Sequence, residues 1–482
     1  TKVDGFNATY ILGATTTMSS TPSNTAEQTY DVIVVGFGKA GKTIAMKRAK
    51  AGDRVALIER DPNMYGGTCI NIGCVPTKKL LTQAHAHELV VEATGESNHA
   101  DALKSAEDAR DAFIAKLNAA NLKMAETAGV TVITGQARFT GPKQVEVTGG
   151  DDRLELSAET IIINTGATTF LPPIPGIDGP RVHTSTSIQH IDRPDNLVIV
   201  GGGPIGMEFA TLFSAYGTKV TVLDGAERAF IRNDEDVAEV AAQIMNDRGV
   251  IITANAQVEK LEDTGNGVAV TYRDVTNDAN KTINADVVLV AVGRKPATEG
   301  LGLEDSGIEL TERGAVKVDE HCRTNIDGVY AAGDVNGGPQ FTYISFDDHR
   351  VIMHDRWGVG PARTTEGRII PTTTFMEPPL ATVGMSLKEA KDSGRELSVR
   401  TKMIADIPIL PRPKIVGQPA GIARLIVDAN SDEILGASLL CIDAQELINT
   451  VAVAMRAGMT ATEFVEGIYT HPATSEVFNA LG

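Results

Sequence analysis

Apolar runs that break at glycines recur along this chain, and each reads as a buried strand delivering a turn. Residues 30–38, Tyr-Asp-Val-Ile-Val-Val-Gly-Phe-Gly, form one such run, and Lys39-Ala40-Gly41-Lys42-Thr43-Ile44-Ala45 behind it has the composition of a helix start. Arg54-Val-Ala-Leu-Ile-Glu59 reads as a second short strand that ends in a carboxylate. Residues 197–206, Leu-Val-Ile-Val-Gly-Gly-Gly-Pro-Ile-Gly, repeat the plan, and Lys219-Val-Thr-Val-Leu-Asp224 again closes on an acid. In both copies the first glycine and the acid are 23 residues apart, 36 to 59 and 201 to 224. Three further apolar runs end in Thr165-Gly166, in Gly293-Arg294-Lys295-Pro296 and in Gly333-Asp334. Beyond residue 366 the pattern alternates strands (Ala423–Val427, Gly436–Leu440) with a helix (Ala444–Ala457), which predicts a separate α+β unit. The class expected is α/β, with two Rossmann-like dinucleotide-binding domains and a C-terminal α+β domain.

These patterns divide the 482 residues into a disordered tail (1–28), a first dinucleotide domain (29–170), a second inserted one (171–296), a return to the first (297–365) and the C-terminal domain (366–482). Residues 1–28 are rich in Thr, Ser and Asn without a basic start or long apolar stretch, so no secretory signal is expected there, and Met18 is a candidate internal start that leaves 1–17 as an extension. No apolar run approaches the ~18 residues of a membrane span. With 44 Lys plus Arg against 62 Asp plus Glu, the net charge of −18 repels phosphate backbones and anionic lipid. Nucleic acid and membrane are therefore poor partners, and a cytoplasmic location is expected.

The repeated unit has a chemical purpose. The first glycine makes a tight turn, the second lets the backbone approach a diphosphate, and the third lets helix and strand pack closely, while the acid accepts ribose hydroxyls. Gly36, Gly38, Gly41 and Glu59 fill these places in one copy, and Gly201, Gly203, Gly206 and Asp224 in the other. A lone glycine fingerprint is often only a turn. Two in full strand–turn–helix–strand context predict two bound dinucleotides, and one flavin with one nicotinamide makes redox sense.

Between the first acid and the next helix lies Met64-Tyr-Gly-Gly-Thr-Cys69-Ile-Asn-Ile-Gly-Cys74-Val-Pro-Thr-Lys78. Cysteines five apart at a helix start are able to close a small disulfide ring, and a helix N-terminus favours a thiolate. A purely structural disulfide is the plain alternative, although so small a loop stabilises little. A zinc half-site is another, but it needs two further ligands at standard spacing. His85-x-His87 does not supply them, because i and i+2 on a helix point to different faces. Cys322 and Cys441 lie far from these motifs and read as ordinary buried thiols.

The Gly-Gly-Thr-Cys-x-x-x-x-Gly-Cys-x-Pro-Thr-Lys motif resembles that of the flavin-dependent pyridine nucleotide–disulfide oxidoreductases, a family with dihydrolipoamide dehydrogenase, glutathione reductase and mercuric reductase among its members. The resemblance spans about residues 29–482. It implies FAD held by Gly36, Gly38, Gly41, Glu59, Thr68, Lys78, Thr165, Gly166 and Asp334, and a nicotinamide nucleotide at Gly201, Gly203, Gly206, Asp224 and Gly293. It further implies that Cys69 is the interchange thiol, that Cys74 exchanges electrons with the flavin, and that Lys78 and Glu208 pair beside it. Tyr469-Thr-His471-Pro-Ala-Thr-Ser-Glu476 matches the family's His-Pro-x-x-x-Glu motif. Its histidine reaches the partner subunit's cysteines in that family and its glutamate orients the ring, so a homodimer with shared sites is implied.

The C-terminus, Phe478-Asn-Ala-Leu-Gly482, carries no cysteine pair, which weighs against mercuric reductase. Gly36-Phe-Gly-Lys-Ala-Gly-Lys-Thr43, the cysteine motif, Gln340-Phe-Thr-Tyr-Ile-Ser-Phe-Asp-Asp348 and Gly436-Ala-Ser-Leu-Leu-Cys441 look closer to bacterial reactive-chlorine-resistance flavoproteins. That branch implies hypothiocyanous acid as the oxidant reduced, with copper(II) reduction also associated. Dihydrolipoamide dehydrogenase is the alternative, and a low-turnover redox-sensing flavoprotein is a third reading. The acid at Asp224 favours NADH over NADPH, since a 2′-phosphate there meets like charge, and Arg228 and Arg232 read as surface charge.

Overall fold

The computed structural model describes residues 28–149 and 152–482. Of the predicted N-terminal tail, residues 1–27 lie outside the described residues, and Gln28 already opens the first strand.

The first glycine-bearing unit folds as β1 (Gln28–Val35), α1 (Lys39–Lys50) and β2 (Val55–Glu59). Strand β2 is buried along its whole length, as a central parallel strand requires. A short helix, α2 (Thr68–Asn71), follows, then the long α3 (Cys74–Thr94) and α4 (His99–Thr127). The sheet resumes with β3 (Thr131–Thr134), β4 (Gln136–Gly141), β5 (Gln144–Gly149) and β6 (Asp152–Ile163), in the order β3-β2-β1-β6-β5-β4. β6 changes partners along its length. Its first half pairs antiparallel with β5, and its second half pairs parallel with β1. Strand β7 (Ala167–Thr169) leads out of this sheet.

The second unit contains β8 (Val182–His183), β9 (Asn196–Val200), α5 (Pro204–Ala215), β10 (Lys219–Leu223), α6 (Glu235–Asp247) and β11 (Ile251–Thr253). A three-stranded antiparallel arm, β12 (Ala256–Asp263), β13 (Val268–Asp274) and β14 (Ala279–Ala285), precedes β15 (Val287–Val290). The five parallel strands run β11-β10-β9-β15-β8. Strand β16 (Arg294–Pro296) then pairs with β7, and β17 (Val329–Ala331) rejoins the first sheet alongside β6. The chain thus leaves the first sheet at β7 and returns to it at β17.

Helix α7 (Thr342–Trp357) leads into a five-stranded sheet of β18 (Thr372–Thr374), β19 (Leu380–Gly384), β20 (Leu397–Met403), β21 (Ile422–Asp428) and β22 (Ile434–Leu440), every pairing antiparallel. Helix α8 (Ala444–Ala457) buries Leu447, Ile448 and Val451 against it. Among the described residues, no helix is long and apolar enough to cross a membrane.

One ion pair fastens the C-terminal sheet to the second nucleotide unit. Arg424 on β21 is 4% exposed and donates to Asp234 Oδ2 at 2.9 Å and to Asp236, at the start of α6. Asp234 is itself buried and its other oxygen accepts from the Leu387 N–H at 2.8 Å. Removing one partner of a buried pair leaves an uncompensated charge, at about 3–5 kcal/mol. Arg424→Met is therefore expected to lower the melting temperature by several degrees, and Asp236→Asn, at a half-exposed position, by much less; thermal melts of the three proteins check the order.

Candidate active site

The glycine turns come first, because they set where everything else stands. Gly36 has φ +96°, and a Cβ there would lie 2.5 Å from the Asn164 carbonyl oxygen. In the second unit, a Cβ on Gly206 would lie 2.0 Å from the carbonyl oxygen of Gly201. Only glycine permits these approaches. Helices α1 and α5 begin at Gly38 and Gly203 with no side-chain cap and no acid in the first turn. Such uncapped N-termini suit anionic phosphate.

Around the first turn opens a cavity of about 1760 Å³, well above the ~300–1,000 Å³ of an ordinary single-ligand pocket. Gly36, Gly38, Glu59, Thr68, Thr165, Gly166 and Asp334 line it, and so do Cys69, Cys74, Lys78 and Glu208. Gly41 sits behind it, donating its N–H to Asn164 Oδ1 at 2.8 Å. Glu59 is buried, and its carboxylate accepts the Phe37 N–H at 3.1 Å and the Asp61 N–H at 3.2 Å. Burial pushes the Glu59 carboxyl up, against these backbone bonds. Burial likewise raises Asp334, opposed by the positive charge of Arg294.

The residues that the sequence pattern assigns to a nicotinamide nucleotide gather elsewhere. Gly201 and Asp224 follow β9 and β10, and Gly293 follows β15, so all three stand at the carboxyl ends of parallel strands. The Asp224 carboxylate presses on Gly202, where a Cβ would meet its Oδ2 at 2.4 Å. Arg228 is spoken for: it donates to the backbone carbonyls of Phe230 and Asn233 at 3.1 and 2.7 Å. It staples its own loop instead of balancing surface acids, which was the sequence expectation.

Cys69 stands in α2 and Cys74 opens α3, both as free thiols close enough to couple in their ionisation. Cys69 is pulled down to about 6, first by the Cys74 hydrogen bond and then, against burial, by the Thr342 hydroxyl and the charges of Lys78 and Lys42. Cys74 is held up, chiefly because its proton is the one shared with Cys69. The pair thus loses a first proton easily and a second with difficulty. Cys74 is exposed by surface area yet closely surrounded by protein, because the surface it exposes is cavity wall.

Lys78, one turn into α3, donates to Glu208 Oε2 at 2.5 Å and lies 4.6 Å from the centre of the Phe375 ring. Glu208 Oε1 accepts the Phe375 N–H at 3.0 Å, so one buried carboxylate joins α3, α5 and the C-terminal part. His471 and Glu476 do not line the cavity. They pair with each other, Nδ1 to Oε1 at 2.8 Å, on an exposed corner where the imidazole is 67% accessible. Glu476 Oε2 accepts the Ala473 N–H at 3.0 Å, which fixes the ring and leaves Nε2 outward.

Three contributors were not anticipated from sequence. Asn164 clamps Gly41 to the carbonyl of Ala332 through its two amide atoms. Gln189 donates to the Ile72 carbonyl, inside the cysteine loop, at 3.1 Å and to Ser185 at 2.7 Å. Arg294, half-buried on the cavity wall, donates to the Ala167 carbonyl. Position at a strand end was the only signal for Asn164 and Arg294, and Gln189 had none. His85 and His87 part company as expected, His87 Nε2 meeting His99 Nδ1 at 2.8 Å and His85 lying 4.0 Å from Glu377. Cys322 and Cys441 are fully buried.

Comparison with known proteins is direct. Residues 30–348 match the family described as pyridine nucleotide-disulphide oxidoreductase, and residues 370–481 match its dimerisation domain. The chain belongs to this family. It is 42% identical to the probable pyridine nucleotide-disulfide oxidoreductase RclA of Escherichia coli (strain K12), over 94% of this chain and 98% of that one. It is 32% identical to dihydrolipoyl dehydrogenase of Corynebacterium glutamicum, over 93% and 96%. The structure of the Cu(II) complex of HOCl-induced flavoprotein disulfide reductase RclA from Escherichia coli superposes with a TM-score of 0.86 at 41% identity, covering 94% of this chain and 99% of that one. This family member is a flavoprotein disulfide oxidoreductase: two nucleotide-binding domains precede a C-terminal dimerisation domain that points to a homodimer, and the family uses FAD and a pyridine nucleotide.

The thiol geometry gives a measurable expectation. Alkylation of the reduced pair at Cys69 is expected to rise with pH through about 6, far below the ordinary thiol range. In Lys78→Met that midpoint moves upward, because a positive charge that favours the thiolate is gone. Iodoacetamide rates against pH, with the modified peptide identified by mass spectrometry, decide both points.

Proposed function

We propose that this flavoprotein is an NADH-dependent reductase of hypothiocyanous acid, acting in the cytoplasm through Cys69 and Cys74. The observation that carries the reading is the thiol pair, with one sulfur acidified to about 6 in a cavity that the nucleotide-binding turn also lines. An oxidant as substrate is supported by similarity to a reductase described as HOCl-induced.

The residues that line the cavity fit a flavin dinucleotide, with an uncapped helix, an acid at the β2 end and a volume larger than one small ligand needs. Gly36, Gly38, Gly41, Glu59, Thr68, Lys78, Thr165, Gly166 and Asp334 would hold FAD, and Gly201, Gly203, Gly206, Asp224 and Gly293 the nicotinamide. When bound, FAD supplies the relay that passes an electron pair between nicotinamide and disulfide. On this reading residues 29–170 and 297–365 form the FAD domain, 171–296 the nicotinamide domain and 366–482 the interface domain.

The cysteines then do the chemistry. The Cys69 thiolate attacks the sulfur of hypothiocyanous acid; the S–S bond forms as the S–O bond breaks, and the oxygen leaves as water with a proton from the partner subunit's His471. Cys74 next attacks the Cys69 sulfur and expels thiocyanate, restoring the disulfide. Cys74 is held protonated mainly by its bond to the Cys69 thiolate. Capping Cys69 removes that cause, so Cys74 becomes free to ionise when it is needed. Glu476 and Ala473 keep the His471 ring in one orientation for this transfer.

Anaerobic reduction by NADH followed by rapid mixing tests the reading. Fast reoxidation by hypothiocyanous acid and not by lipoamide supports it, lipoamide alone would identify dihydrolipoamide dehydrogenase, and neither would indicate a sensor. His471→Ala is expected to slow reoxidation by about 10²–10⁴ and to leave reduction by NADH intact. NADH is expected to give a higher kcat/KM than NADPH, with the gap narrowed in Asp224→Ala, since a 2′-phosphate beside that carboxylate is repelled; Arg228, tied to backbone carbonyls, cannot offset it.

A further inference from the structure

Lys42 is an anomaly. It is 5% exposed, and among the described residues no carboxylate lies within ion-pair distance of it. Its ammonium donates to one neutral group, the side-chain oxygen of Asn121 on α4. A buried charge without an opposite partner is strongly unfavourable. Burial pulls Lys42 down to about 8, Lys39 on the same helix pulls in the same direction, and the one influence favouring its charge is the Cys69 sulfur.

The packing explains that influence. Helix α4 packs against both α1, which carries Lys42, and α2, which carries Cys69. Asn121 itself is buried and donates to the Leu117 carbonyl at 2.7 Å, so its oxygen is fixed in direction. Its amide lies directly under Gly66, where a Cβ would meet Asn121 Cγ at 3.0 Å. Gly66 opens the turn that runs through Gly67 and Thr68 into Cys69. Lys42, Asn121 and the cysteine turn are therefore stacked in contact, with the ammonium on the side of the turn away from the cavity.

We propose that Lys42 is a positioning residue for the redox pair: its buried ammonium, held beneath the turn by Asn121, is a counter-charge for the Cys69 thiolate. The proposal rests on the reading of Cys69 as the interchange thiol. When two electrons from the nicotinamide open the disulfide, the pair becomes anionic, with Lys42 beneath the turn and Lys78 on the α3 side. The other groups that face the pair are the Thr342 hydroxyl on α7, which favours the Cys69 anion, the Glu208 carboxylate on α5, which opposes ionisation of Cys74, and Arg294 on β16 and Tyr343 on α7, both coupled electrostatically to Cys74. The competing role for Lys42 is neutralising the cofactor diphosphate. Lys39 lines the cavity and Lys42 does not, which assigns that task to Lys39.

The test uses the reduced holoenzyme and three variants. Iodoacetamide alkylation of Cys69 is followed by peptide mass spectrometry from acid to alkaline pH in the wild type, Lys42→Met, Lys42→Arg and Asn121→Asp, with bound flavin and melting temperature measured on each. The midpoint is expected to move up by about one pH unit in Lys42→Met. It should return toward the wild-type value in Lys42→Arg, and move up in Asn121→Asp, where a carboxylate of the same shape captures the ammonium. A wild type in which Cys69 is not the thiol alkylated at low pH would overturn the site reading itself. A normal wild type with a superimposable profile in folded, flavin-loaded Lys42→Met or Asn121→Asp would overturn the Lys42 proposal alone. Loss of flavin with an unchanged midpoint would assign Lys42 to the diphosphate and would also overturn it.

Discussion

Glu208 receives Lys78 from α3 on one oxygen and the Phe375 N–H from the C-terminal part on the other, while its own helix belongs to the nucleotide unit. Three parts of the chain, far apart in sequence, converge on this carboxylate, and Cys74 stands one helical turn from the lysine that binds it. A carboxylate 8% exposed is tolerated only when its lone pairs are used, so the arrangement of the three parts is specified by one charge. The cavity exists because these parts are held at a distance that side chains do not fill.

The same logic governs the sulfurs. Positive charge reaches Cys69 from Lys78 and Lys42, and a hydroxyl reaches it from Thr342, so groups on three helices converge on one thiol. No single group does this alone, and none is adjacent to Cys69 in sequence. The largest share of the acidity at Cys69 comes from Cys74 within the motif itself, and tertiary packing adds the hydroxyl and the two positive charges to it.

This explains what was legible beforehand. The strand–glycine–helix units were readable because hydrophobic period and glycine placement are local, and β1, β2, β9 and β10 stand where the patterns put them. The cysteine loop was readable from spacing. The antiparallel arm of β12 to β14 and the long α4 escaped notice, because a partly exposed meander and a mixed-surface helix lack the continuous apolar run that marked the buried strands. Asn164 and Gln189 escaped for a deeper reason: each acts across 79 residues or more, Gln189 being tied to Arg110 as well as to Ile72. Nothing about an isolated amide in sequence shows which distant carbonyl it will meet. Arg228 was misjudged likewise, its partners being backbone atoms.

Gln189 has a mechanical consequence. Its amide nitrogen is bonded at once to Ile72 in the cysteine loop and to Ser185 within the second nucleotide unit. Any shift of that unit against the loop must lengthen the bond to Ile72 or drag the loop with it. The backbone between the two sulfurs is thereby tethered to the second nucleotide unit by a single amide.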